Sequence, residues 1–104
     1  MKEYQRLKGE AEVKLQIEIY RLRKACEEQE PDKRLIAKLV ARLDKALENL
    51  INSHAYLMME MEVRVYEPRF TQYLDPLEDA AMEVKAMADV ITGAVDEDGV
   101  PTPQ

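Results

Sequence analysis

The sequence predicts an all-α fold, an antiparallel helical hairpin with a shorter third helix, packed in the manner of a coiled coil and oligomeric. Three observations carry this reading. Apolar residues recur three and four positions apart over most of the chain, which is the signature of amphipathic helices. Pro31, Pro68 and Gly93 punctuate that pattern. Charged residues make up 35% of the chain and aromatics 6%, a balance typical of exposed helices. An alternative α+β fold, with strands near residues 12–20 and 58–66, arises if two alternating stretches are read with period two.

The first helix is expected over about residues 3–29, where Tyr4, Leu7, Ala11, Leu15, Ile19, Leu22 and Cys26 recur at helical spacing among strong helix formers. Val13, Leu15, Ile17 and Ile19 also alternate with Lys14, Gln16 and Glu18, hence the strand alternative. Read as helix, Val13, Ile17 and Tyr20 form a second apolar stripe, and two stripes imply two neighbours. Glu30-Pro31-Asp32 then places proline at a helix start. So short a break folds the second helix back antiparallel on the first.

The second helix is expected over about residues 31–64. Ile36, Val40, Leu43, Leu47, Leu50, His54, Leu57 and Met61 alternate four and three apart, a heptad seam that we take as the association surface. Leu35, Leu39, Ala46, Ile51 and Met58 widen it. Its end is ambiguous, because Met59 to Val65 also alternates; Pro68 sets the limit. Asp75-Pro76-Leu77-Glu78 reads as a capping box with proline at the first helical position. A third helix is therefore expected over residues 76–92, through Leu77, Ala81, Val84, Ala88 and Ile91 to a stop at Gly93. Phe70, Tyr73 and Leu74 share its period upstream and suggest a separate helical turn. Residues 1–93 thus form one helical domain, and the acidic, proline-containing residues 94–104 a flexible tail.

Composition narrows the functional classes. A formal net charge of -6 disfavours direct nucleic-acid binding, which draws its affinity from Lys and Arg. The one basic concentration, Arg21, Arg23, Lys24, Lys33 and Arg34, is interrupted by Glu27, Glu28 and Glu30. A single cysteine, Cys26, makes no intramolecular disulfide, which fits a reducing compartment. The N-terminal residues lack the apolar core of a signal peptide and no apolar run approaches membrane-span length, so an intracellular, cytoplasmic protein without membrane association is expected.

Chemistry is sparse. His54 is the only histidine, which rules out a multi-histidine metal site within one chain, and Ile51 stands where a bundle di-iron motif needs glutamate. On the seam His54 reads as a packed core residue, with a titrating switch at a dimer seam as the alternative. Asp96-Glu97-Asp98-Gly99 lacks the alternation and closing glutamate of a calcium loop. Met58, Met59, Met61, Met82 and Met87 read as core filler or as an adaptable surface for a partner helix. Cys26, on the first helix's seam, reads as an inert buried thiol, and Gly9, Gly93 and Gly99 are too scattered for a phosphate loop. No enzyme and no cofactor is expected. A second helix much longer than the third leaves part of its seam uncovered, so a homo-oligomer, with a dimer favoured, or a heterologous protein partner is expected.

The order of features resembles the N-terminal helical region of Gag proteins from BEL/Pao-type retrotransposons over roughly nine-tenths of the chain. The resemblance rests on Lys8-Gly9 and Lys14-Leu15 in the first helix, Val40-Ala41-Arg42-Leu43-Asp44-Lys45 in the second, and the aromatics Phe70 and Tyr73 before a third. It implies a structural assembly segment of a retroelement polyprotein, or a host protein derived from one. The chain departs from the complete Gag pattern in having no cysteine-histidine knuckle, no protease signature and no strongly basic tract. Protein-protein assembly is thus the part of Gag function that fits, and RNA packaging the part in doubt.

Overall fold

A computed structural model describes residues 2–64 and 66–93. It contains three helices, α1 (Lys2–Cys26), α2 (Lys33–Glu60) and α3 (Pro68–Thr92), and the fold is all-α. Among the described residues there is no strand, so the α+β alternative does not hold. The alternation at Val13–Ile19 is two helical stripes interleaved: Leu15 is buried and Ile19 partly so, while Val13 and Ile17 face outward.

The turn after α1 does reverse the chain. Glu18 of α1 meets Arg42 of α2 at 3.2 Å, and Tyr4 stacks on Tyr56 with ring centroids 6.3 Å apart. The paired residue numbers sum to 60 in both cases, as antiparallel helices require. Lys85 of α3 reaches Asp44 of α2 at 2.6 Å, while Phe70 at the start of α3 packs on His54, so α3 runs back again. The three form an up-down-up bundle around Leu15, Leu22, Ile36, Leu43, Leu50, Ala81, Val84 and Ala88.

Helix boundaries depart from expectation in three places. α1 ends at Cys26 rather than near 29. α2 begins at Lys33 because Asp32, not the residue before Pro31, is the cap: its carboxylate accepts from the Arg34 and Leu35 amides at 3.0 and 3.2 Å, satisfying donors that have no partner inside the helix. α2 ends at Glu60, not near 64. There Glu62 turns left-handed, with φ 58°, its amide donates to the Met59 carbonyl, and the Val63 amide donates to the Met58 carbonyl. That is a Schellman stop, completed by the contact of buried Val63 with Met58.

The largest correction concerns α3, which starts at Pro68 and carries Pro76 in its interior. Asp75 is therefore not a cap. Pro68 already occupies the favoured first-turn position. An interior proline lacks the amide that would bond four residues back and costs a helix roughly 3 kcal/mol. Burying Leu74 and partly burying Phe70, Tyr73 and Leu77 on one face offsets that cost, since each such side chain contributes about 1.5–3 kcal/mol when fully buried. At 25 residues α3 matches α1 and falls only three short of the 28 in α2, so the excess length expected of α2 is absent. Gly93 closes α3 with φ 82°, as its position suggested. The expected tail, residues 94–104, lies outside the described residues.

Candidate functional site

The proposed association seam is largely turned inward. Ile36, Leu43 and Leu50 are fully buried, Leu57 and His54 nearly so, and Val40 and Leu47 partly. They pack against α1 and α3 of their own chain. Met61 does not join them: it caps the end of α2 and is 42% exposed. The methionines divide, with Met58 buried and Met59 and Met82 exposed. Cys26 is buried, and burial together with the charge of Glu27 pushes its thiol pKa up, the opposite of an activated nucleophile.

His54 occupies the junction of all three helices. It is 1% exposed, with its ring 5.3 Å from that of Phe70 and 4.8 Å from that of Tyr73. Its Nε2 lies 2.8 Å from the Phe70 carbonyl. A carbonyl only accepts, so Nε2 carries the proton and Nδ1 is the bare nitrogen, buried without a partner. Burial lowers the imidazole pKa, the bond to Phe70 opposes that shift, and the Lys8 charge adds to it. The Tyr73 hydroxyl donates to Glu12 of α1, and the Lys8 ammonium stands 3.7 Å over the Tyr73 ring. Burial, then the hydrogen bond and charge of Glu12, push the Tyr73 pKa up, while burial lowers that of Lys8 against the pull of Glu12. The cluster holds a neutral histidine and a protonated tyrosine in fixed places. Its bonds join α1 to α3 across the end of α2.

A second buried polar group, Glu18, lies on the inner stripe between Leu15 and Leu22. Its Oε1 accepts from Arg21 and Arg42 at 3.2 Å each, and Oε2 has no partner. Among the described residues no group of three or more His, Cys, Asp or Glu side chains is placed to hold a metal ion. No described helix is long and apolar enough to cross a membrane.

Among the exposed apolar side chains, three line up along one face of α1, where the Lys24 ammonium lies 5.6 Å from the Tyr20 ring centre. Val13, Ile17 and Tyr20 are 54, 43 and 62% exposed, four and three residues apart on α1. With 100° per residue they lie opposite the inner stripe of Leu15, Glu18 and Leu22, and away from Lys8 and Glu12, which face α3. The periodicity of the sequence identified this stripe. It did not identify Glu12, Lys8 and Tyr73 as one cluster, because their meeting depends on the register between helices. Glu18 was detectable in principle, since it falls on the same helical face as Leu15 and Leu22. No protein family, curated protein or solved structure matches this chain.

Proposed function

We propose that this chain is a structural self-association module that works by helix packing and not by catalysis. The observation that carries the reading is the outward stripe of Val13, Ile17 and Tyr20 on α1. The α2 seam is occupied by the chain's own core, so the contact between copies moves to α1. A monomer rarely spends three neighbouring large apolar side chains on solvent along one helix face, and aligned exposure of this kind marks an interaction surface. The bonds of His54 to the Phe70 carbonyl and of Tyr73 to Glu12 tie the helices to one another, which supports a role in packing.

In biological terms the reading is a Gag-like assembly segment, in line with the resemblance carried by Lys8-Gly9, Lys14-Leu15 and the Val40–Lys45 stretch. The net charge of -6 favours contacts between protein copies over contacts with phosphate. Light scattering over a wide concentration range tests the proposal. The mass should rise with concentration above the 12.0 kDa of one chain; a strictly monomeric mass at the highest concentration contradicts it.

A further inference from the structure

The charges that flank the outer stripe of α1 keep one order along the chain, cation then carboxylate, so the outermost charge is positive at the N-terminal end and negative at the C-terminal end. Arg6 precedes Glu10 on the N-terminal side, and Lys24 precedes Glu27 on the C-terminal side. Each forms an exposed pair with its neighbour along the chain, Arg6 with Glu10 inside α1 at 3.7 Å and Lys24, in the last turn of α1, with Glu27 just past its end at 3.9 Å, where the Glu27 amide still donates to the Arg23 carbonyl. All four share the stripe's side of the helix: positions 6, 10, 13, 17, 20, 24 and 27 step alternately by four and three residues. The apolar centre from Val13 to Tyr20 spans only about 10 Å. That is too short for a specific contact by itself, so whatever covers it must also meet the charged ends.

We infer that α1 pairs with α1 of a second copy in antiparallel, two-fold symmetric fashion, with Val13 of each chain beside Tyr20 of the other. This inference rests on the self-association reading and specifies its geometry. In a two-fold antiparallel pair, the residues that face each other have numbers with a constant sum. Setting Val13 against Tyr20 gives 33. Arg6 then faces Glu27, also 33, and Glu10 comes within one residue of facing Lys24, at 34. Both outer pairs join opposite charges, and symmetry makes each of them twice. A parallel pair would set Arg6 on Arg6, Glu10 on Glu10 and Lys24 on Lys24, so the charge order selects the antiparallel arrangement. Tyr20 supplies the large amphipathic ring typical of interface centres, and Val13 leaves room for it. The copy-to-copy contact is small, which places it in the weak, concentration-dependent class.

Charge exchange tests the geometry in the full chain. Glu10→Lys and Lys24→Glu each set like charges against each other at two symmetric places, and each should weaken dimerisation about tenfold in sedimentation equilibrium. The double variant E10K/K24E restores opposite charges and should recover wild-type affinity. Circular dichroism checks that all three remain helical. If the wild-type chain dimerises but all four chains associate equally, as a parallel pair or another surface would give, the antiparallel inference is overturned and self-association stands. If the wild-type chain remains monomeric, both fail.

Discussion

Lowering the pH from 8 toward 5 should destabilise this protein through His54. In the folded chain the imidazole is neutral, 1% exposed and enclosed by the Phe70 and Tyr73 rings. The charged groups near it are Lys8 and Glu12 of α1, the latter engaged by the Tyr73 hydroxyl of α3. Protonation would place a cation in this enclosure, close to the Lys8 ammonium, on a nitrogen with no acceptor. Burial therefore depresses the folded pKa below 6.5, with Lys8 acting in the same sense. The sign follows: as pH falls below 6.5, the unfolded chain takes up a proton that the folded chain refuses. His54's contribution is complete above the unfolded pKa and is lost as pH falls toward the folded one. The loss is at most about 1.4 kcal/mol for each pH unit separating the two titrations. Urea denaturation followed by circular dichroism at closely spaced pH values measures it. His54→Leu should flatten the profile in this window, and Lys8→Met should shift the loss to a narrower one. Parallel profiles for wild type and His54→Leu would refute the assignment.

Four further substitutions test the fold. Leu43→Ala, at a fully buried seam position, should cost about 2–5 kcal/mol, whereas Met61→Ala, at the exposed end of the seam, should change stability by less than about 0.5 kcal/mol; equal effects in denaturant melts would contradict the placement of the core. Pro76→Ala should stabilise the chain by about 1–3 kcal/mol if α3 is continuous, and should be neutral or harmful if a helix starts at Pro76, so its melting temperature separates the two. Glu62→Gly, at the left-handed residue that ends α2, should raise stability by about 1 kcal/mol, and a clear loss in the same assay would argue against that turn.

The parts of the fold that depend on periodicity were legible in the sequence. The inner stripe of α1 and the seam of α2 are visible as spacing alone, and the short break around Pro31 dictates an antiparallel return. What misled was local chemistry at Asp75-Pro76, where the residues of a good cap occur inside a helix. Cap preferences are worth about 1 kcal/mol, and the burial of Leu74 with Phe70 and Tyr73 outweighs them. That error also removed the argument from unequal helix lengths, since the missing turns of α3 cover the seam of α2 near His54. At the candidate site the outer stripe of α1 was readable because it too is periodic. The links from Tyr73 to Glu12 and from Glu18 to Arg42 were not, because they join residues 61 and 24 positions apart whose register only the packed bundle fixes.

Copies of this chain should meet through the outer face of α1. Sedimentation equilibrium of the wild-type chain beside Ile17→Glu tests it most directly, because Ile17 is 43% exposed and the change leaves the core intact. The wild-type mass should climb from 12.0 kDa toward twice that value as concentration rises, while the variant stays helical and monomeric. A wild-type chain that remains at 12.0 kDa, or a variant that dimerises as well as wild type, would contradict association through α1.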